Sequence, residues 1–360
     1  MSLDDGAAAG KSTEQSTAAP SSYSRLTLRR ITALSVAVAL LLSCVLGDIL
    51  TGPALLSVDE TVAALLGLEA ASSMTTVIVW DIRLPMTLMA LTVGAALAVA
   101  GVIMQTILGN PLASPYTLGF SAAAGFGAAV VLLTGLSLPF FPGLTVPTAA
   151  FAATLVSAGL VYGLSRARGM TPEVMILAGI ATLFLFQSLQ SMVQYLASPE
   201  VLQAIVFWLF GSLLKASWDN LPITATILVI CVAAILPDVW RLTALRMGDD
   251  RAAAVGINVT GLRVRMFVIV ALLTAGAVAF VGTIGFVGLV APHIARGFVG
   301  EDQRFLLPMA ALVGGIIMTG SSILSKIISP GGVIPIGIVT AVLGVPFLFG
   351  LIVLGKRRHW

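Results

Sequence analysis

The sequence is poor in charged residues, cysteine and histidine. Only 10% of its 360 residues are charged and 58% are hydrophobic, whereas soluble domains carry about 25% charged residues. A soluble globular protein is therefore excluded. The two cysteines, Cys44 and Cys231, lie inside apolar runs and indicate neither a disulfide framework nor a metal site. The two histidines, His293 and His359, are each isolated, so we expect no metal on this chain.

The centres of the apolar runs also lack ionisable residues. A charge at mid-membrane costs about 2.5 to 3.5 kcal/mol on insertion scales and is typically kept there for function. Its absence argues against a proton- or ion-coupled carrier. It argues equally against an intramembrane enzyme, which needs reactive groups within reach of one another.

Apolar runs predict an all-α, polytopic membrane protein with about ten transmembrane helices. The runs cover approximately residues 31–46, 87–108, 118–133, 146–164, 174–196, 221–236, 266–290, 305–328 and 334–354. Glycines at residues 282–288, followed by Pro292, predict a turn near residues 285–288 and then a short helix over about 292–298. So many spans leave no room for a sizeable soluble domain. Any ATP hydrolysis must therefore come from a partner.

Basic residues set the expected orientation. Cytoplasmic loops are enriched in Lys and Arg. With a cytoplasmic N-terminus and about ten spans, every basic residue except Arg83, Lys215 and Lys326 lies inside. We therefore expect a multi-pass protein of the cell inner membrane with both termini in the cytoplasm. Residues 1–24 have no apolar period and predict a disordered cytoplasmic tail before a transmembrane domain over residues 25–360.

Small residues recur at spacings of three and four along several runs. Gly94 and Gly101 are examples in the second span, Gly159 and Gly163 in the fourth, and Gly288 further on. Such spacings place small residues on one helix face, where backbones can approach closely. Tight packing of a compact bundle is a sufficient explanation for most of them.

Three glutamines lie on one face of the fifth predicted span. Gln187, Gln190 and Gln194, with Ser188 nearby, follow the helical repeat. Amides that face lipid would be costly, so we expect this face to meet other helices or water. Interhelical hydrogen bonding and a polar, uncharged translocation path both fit the pattern.

The longest inner loop, about residues 238–265, contains a predicted two-turn helix. Gly248, Asp249 and Asp250 precede alanines that favour helix, with an aspartate as N-cap, and Gly256 stands at the C-terminal cap position. A small helix displayed toward the cytosol is suited to docking into a groove on a partner. A solvated connector is the alternative interpretation.

Several motifs, in order along the chain, resemble those of the FecCD-type (BtuC-like) permeases of ABC importers for iron-siderophore, haem and cobalamin. The matching segments are Arg83-Leu84-Pro85, Gly109-Asn110-Pro111-Leu112, Phe207-Trp208, residues 248–256, Pro292-His293 with Arg296, and Pro335-Ile336-Gly337. Each motif alone is weak evidence. Their collinear succession covers nearly the whole chain from the first span onward.

The resemblance implies a type II ABC importer permease fold and a set of partners. A second copy or a homologous permease would complete a translocation path at the dimer interface. A cytoplasmic ATPase dimer would bind the ATP and Mg, and a substrate-binding protein would dock from outside. No cofactor is implied for this chain, and its surroundings are membrane lipid rather than nucleic acid.

The resemblance also assigns roles to residues. The path and inner gate would be formed by Met170, Thr171, Gln187, Ser188, Gln190 and Gln194. Coupling to the ATPase would involve Gly248, Asp249, Asp250, Ala253, Gly256 and Arg296. Arg83 and Lys326 match outer positions where basic residues of the family pair with acids on the binding protein. Met86, Ser322 and Val333 stand where the family commonly has a further basic residue or acids.

The sequence thus predicts the permease subunit of an ATP-driven importer, not an enzyme, with ferric siderophores as the expected cargo. Cobalamin and haem are alternatives within the same class. A secondary carrier and a structural membrane subunit without a path are the alternatives from other classes.

Overall fold

The computed structural model describes residues 22–68, 72–328 and 332–354, and every regular element in these ranges is helical. The helices are α1 (Ser22–Leu50), α2 (Val58–Leu66), α3 (Ser73–Val77), α4 (Leu84–Ile107), α5 (Phe120–Thr134), α6 (Thr145–Arg166), α7 (Pro172–Leu196), α8 (Pro199–Leu209), α9 (Leu221–Ile235), α10 (Val239–Leu245), α11 (Asp249–Ala254), α12 (Val259–Val281), α13 (Val287–Val299), α14 (Gln303–Ile328) and α15 (Ile336–Leu354). A π-helical segment, Ile78–Arg83, joins α3 to α4. The predicted tail lies outside the described residues up to residue 21, and α1 already includes residues 22–24.

Seven helical segments of the described chain are long and apolar enough to cross a membrane. They are Arg25–Leu50, Ser73–Ile107, Pro142–Arg166, Pro172–Leu196, Leu221–Leu245, Val259–Val281 and Gln303–Ile327. Two shorter apolar helices, α5 and α15, coincide with the remaining predicted runs, and a third, α13, covers the predicted short helix over residues 292–298. The fourth short apolar helix, α8, was not predicted, because its apolar positions follow closely on the long run that forms α7.

The predicted break after α12 is present, but it begins earlier than expected. α12 ends at Val281, since Gly282 has a φ of 78° that a helix cannot continue. α13 then begins at Val287 and contains Pro292 in its interior. Proline has no N–H to donate to the carbonyl four residues earlier, so the carbonyl of Gly288 lacks its normal helical donor.

α4 packs against other helices at positions where only glycine fits. A Cβ added at Gly101 would overlap the carbonyl oxygen of Gly288 in α13, and one added at Gly94 would overlap that of Gly314 in α14. A Cβ added at Gly159 or Gly163 of α6 would meet no heavy atom within 4 Å beyond its own helix. Close packing thus explains the α4 glycines, whereas the α6 glycines lie on a face that this chain leaves open.

We expect Gly101→Ala to destabilise the bundle, because the methyl group would push α4 away from α13. Overpacking of this kind costs about 1–3 kcal/mol. Gly163→Ala is the matched control, since it adds the same methyl group to a helix interior with free space. The thermal midpoint of the purified protein in detergent measures both changes. A Gly101→Ala midpoint equal to that of Gly163→Ala would contradict this packing.

Candidate functional site

The predicted short helix of the inner loop is present as α11. Its N-cap is Gly248, with a φ of 105°, so the expectation of an aspartate N-cap is wrong. Asp249 and Asp250 instead occupy the first turn, where negative charge favours the helix dipole. Gly256, with a φ of 84°, reverses the chain after the helix. Both glycines have backbone angles that other residues adopt only with strain.

Most of α11 projects away from the bundle. Ala252 is fully buried, whereas Asp250 and Ala253 are exposed. The apolar side chains on either side of the helix are also exposed, Met247 by 53% and Val255 by 56%. α11 therefore presents a surface of apolar and charged side chains at the end of the bundle where α12 begins.

Arg263, near the start of α12, joins α11 to two other elements. Its Nη2 atom donates to both carboxylate oxygens of Asp249, at 2.9 and 2.8 Å. Its Nε atom donates to the carbonyl oxygen of Ile107 at 2.9 Å, and Nη1 donates to that of Met170 at 3.1 Å. The Arg263 side chain is only 4% exposed. Sequence reasoning missed this residue, because its partners are distant along the chain.

Met170 and Thr171 form the turn that leads into α7. Met170 is buried and has a φ of 56°, which is uncommon for a residue other than glycine. Its N–H donates to the carbonyl of Ser165 at 2.9 Å. Thr171 is exposed and is the N-cap of α7, where its hydroxyl accepts from the N–H of Val174. The turn is therefore held in one conformation at the same end of the bundle as α11.

Arg296 lies inside a charge cluster at this end rather than on its surface. Its Nε atom donates to Glu301 at 3.2 Å, and Arg246 donates to the same carboxylate at 2.8 Å. The Arg296 side chain is only 11% exposed. Beside this cluster, hydrogen bonds from Arg304 lower the pKa of Asp302, which also pairs with Arg30. Arg296 therefore connects α13 to neighbouring segments and presents little surface to another protein.

The glutamine face of α7 lies partly open on the single chain. Gln187 and Ser188 are exposed, while Gln190 and Gln194 are half-buried. Gln190 lies against α5, where its side-chain oxygen would be 2.5 Å from a Cβ added at Gly125. In the described part of the chain none of the three amides makes a hydrogen bond, so interhelical bonding within the chain does not explain this face.

The remaining motif residues shape the backbone. The Asn110 side chain accepts from the N–H of Leu112 at 2.9 Å, which forms the turn through Pro111 after α4. Pro292 is buried in α13. The ring of His293 contacts that of Phe347 edge-on, with centroids 5.9 Å apart, and joins α13 to α15. No group of potential metal ligands occurs among the described residues.

Arg83 and Lys326 lie at the opposite end of the bundle, but both are buried, at 3% and 5% exposure. Arg83 donates to backbone carbonyls of Ile49, Leu50 and Ala54, just where α1 ends. Neither side chain is therefore available at the surface of this structure, and the docking role that the resemblance implied for both stays a prediction.

The partner of Lys326 is Asp48, an acid that the sequence analysis did not single out. Lys326 Nζ lies 2.8 Å from Asp48 Oδ1 and 3.0 Å from the Asp48 carbonyl. Asp48 Oδ2 accepts from the Thr87 hydroxyl at 2.6 Å. Asp48 thus supplies a negative charge beside Lys326, whereas Ser322 and Val333 stand where the family commonly has acids. It went unnoticed because the first apolar run ends before it, whereas α1 continues to Leu50.

With these cations buried, the exposed charges at this end are mainly acidic. At this end of the described chain the exposed acids are Asp59, Glu60, Asp81, Glu200 and Asp219. Among the described residues at this end, Lys215 is the exposed base. A protein that docks here meets a surface of negative rather than positive charge.

Lys326→Met should destabilise the bundle strongly, because it leaves the Asp48 carboxylate buried without a cation. Removing one partner of a buried pair costs about 3–5 kcal/mol, whereas replacing both can be nearly neutral. The double variant Asp48→Asn, Lys326→Met should therefore recover most of the lost thermal stability, and exposed Lys215→Met should lose none. A Lys326→Met midpoint equal to the wild-type value would refute the ion pair.

Comparisons with known proteins agree with this architecture. The sequence model of the FecCD transport family matches residues 39–354. The Fe(3+)-citrate import permease YfmE of Bacillus subtilis is 35% identical over 310 residues, which cover 86% of this chain and 90% of that one. The vitamin B12 import permease BtuC of Vibrio cholerae is 33% identical over 295 residues, or 81% of this chain and 86% of its own.

A solved structure extends the similarity to the fold. It is described as an inward-facing metal-chelate type ABC transporter, is 31% identical, and covers 90% of this chain and 99% of its own, with a TM-score of 0.79. The predicted all-α permease fold is thereby confirmed. The chain belongs to the FecCD transport family and is a multi-pass membrane permease of the ABC importer type.

Proposed function

We propose that this chain is the membrane subunit of an ATP-driven importer for iron chelates, with ferric siderophores as the cargo. Two permease chains and two ATPase subunits would form the working unit. ATP and Mg would be bound by the ATPase, and a substrate-binding protein would deliver the cargo from outside. The displayed helix α11, linked through Arg263 to the turn before α7, is the observation that carries this proposal.

The coupling role of α11 rests on its shape and exposure. A helix that has one buried residue and is flanked by exposed apolar side chains has little reason to exist in an isolated chain. Exposed apolar surface outside the lipid marks a site of protein contact. Docking of α11 into a groove of the ATPase would cover Met247, Ala253 and Val255 and would transmit closure of the ATPase as a rigid-body movement.

The translocation path would lie between α7 and its counterpart in a second permease chain. Phe184 and Tyr195 on α7 are 62% and 88% exposed, and they share this open side with Gln187 and Ser188. Hydroxyl and amide groups beside aromatic rings suit a large, uncharged or weakly polar cargo better than a bare ion. Met170 and Thr171, at the inner end of α7, would form the gate.

The orientation follows from the charges. Arg30, Arg246 and Arg263 lie at the end of the bundle where α11 projects, and Lys326 lies at the other end. Cytoplasmic placement of the basic end satisfies the positive-inside rule. Both termini would then be cytoplasmic and the acidic end would meet the binding protein, in the inner membrane of the cell.

The cargo is tested by uptake in proteoliposomes that contain the permease, its ATPase and its binding protein. A ferric siderophore, ferric citrate, haemin and cobalamin are compared, each labelled and each with ATP or a non-hydrolysable analogue inside. We expect ATP-dependent accumulation of the iron chelates. Accumulation of cobalamin or haemin alone would reassign the cargo, and uptake without ATP would contradict the importer.

Ala253→Trp should abolish coupling, because a bulky side chain on the exposed face of α11 cannot enter a fitted groove. We expect uptake to fall by roughly tenfold or more, as for disruption of a well-packed interface centre. Ala204→Trp, an exposed alanine of α8 at the opposite end, is the control. Copurification of the ATPase and uptake are measured together. Normal uptake by Ala253→Trp would rule out docking through α11.

A further inference from the structure

One guanidinium group holds three separate segments at the inner end of the bundle. Arg263 bonds to Asp249 in α11, to the carbonyl of Met170 before α7, and to the carbonyl of Ile107 at the end of α4. Arginine has five N–H donors in a fixed planar arrangement. Four of its possible bonds are formed here, in three directions that a single ammonium group could not serve at once.

The surroundings of each of these three acceptors favour a hydrogen bond to Arg263. The Ile107 carbonyl belongs to the last turn of α4, where helical donors run out. The Met170 carbonyl follows a left-handed backbone position in a buried turn. Because Arg263 is only 4% exposed, Asp249 supplies its counter-charge, while the Asp249 side chain remains 49% exposed and in reach of a partner.

We propose that Arg263 is the positioning residue that transmits movement of α11 to the turn before α7. This inference rests on the proposed function. When the ATPase moves α11, the two hydrogen bonds that Arg263 Nη2 donates to Asp249 pull the guanidinium, and the bond that Nη1 donates to Met170 moves the start of α7 with it. The bond to Ile107 joins the same guanidinium to the end of α4, the central helix, so that α11 and the start of α7 move relative to α4.

Arg265 provides a matched comparison on the same helix. It pairs with buried Asp238 at 2.8 Å and donates to the Ala234 carbonyl at 2.9 Å. Those contacts join α12 to the end of α9 and involve neither α11 nor the turn before α7. If Arg265 is lost, Asp238 keeps a second cation, Arg241, at 2.8 Å. Arg265→Gln therefore removes an ion pair of the same helix, made by a side chain that is 47% exposed, without touching the proposed link.

The test uses the complete complex of permease and ATPase in proteoliposomes, with Cys44 and Cys231 replaced by alanine. Thr171→Cys reports the turn through its reaction with a water-soluble maleimide, with and without ATP and vanadate. Arg263→Lys keeps the charge but cannot make all three contacts. We expect it to retain the ATPase and its basal hydrolysis, while uptake of ferric siderophore falls about tenfold, within the usual range of coupling between sites.

Maleimide labelling of the thiol introduced by Thr171→Cys distinguishes a link from a structural role. In the background without Cys44 and Cys231, labelling of Thr171→Cys should change when nucleotide is added. It should change as well when Arg265→Gln is also present, but not when Arg263→Lys is also present. If Arg263→Lys does not assemble, Asp249→Asn gives the same test, since it weakens the link from its exposed side. A nucleotide response in these variants as large as that with Arg263 and Asp249 intact would overturn the inference.

The proposed function can fail separately. If the wild-type complex accumulates none of the cargoes, the assignment as an iron-chelate importer falls. The response of the introduced thiol to nucleotide is measured without any cargo and decides the role of Arg263 on its own.

Discussion

Two buried arginines satisfy backbone carbonyls at helix C-termini, and the packing of the bundle depends on them. Arg83 bonds to carbonyls where α1 ends, and Arg263 bonds to the last turn of α4. Lipid offers no water to such carbonyls, so unpaired ones are costly. A cation is also the favoured partner at the C-terminal end of a helix, where the helix dipole is negative. The same bonds that satisfy the backbone fix α1 and α4 against their neighbours.

The two ends of the bundle use this device differently. At the acidic end, Arg83 and the pair of Lys326 with Asp48 are enclosed and connect only elements of this chain. At the basic end, Arg263 is enclosed, but its partner Asp249 lies on a helix that projects outward. One end is thus locked, and the other connects the buried core to a surface that another protein can move. α4 runs between the two ends. Its close contacts at Gly94 and Gly101 hold it against α14 and α13, so α4 acts as a rigid body.

Much of the fold was predictable because membrane helices have a strong local signal. Run length located most of the spans, and glycine spacing predicted a face of α4 that allows close approach, which the structure shows to contact α13 and α14. The exposed helix α11 was visible as a capped polar segment between apolar runs. These features depend on residues near one another in sequence, which is where pattern reasoning works best.

The errors concern solvation and distant partners. The resemblance implied that Arg83 and Lys326 contact a binding protein, whereas the ion pair of Lys326 with Asp48 and the hydrogen bonds of Arg83 to carbonyls allow both to be buried. Arg263 drew no attention because its three partners lie in three different segments. A sequence pattern records that a charge is present. Only the fold shows which atoms surround it.

Rigid connection between α11 and the turn before α7 is the central claim. Spin labels at positions 251 and 171 of one chain, and at 171 of both chains, measure it directly by pulsed electron resonance in the assembled transporter. On ATP binding, the distance within a chain should stay constant within about 2 Å, the scale of small helix shifts, while the distance between chains changes by more. A change within the chain as large as that between chains would contradict the account.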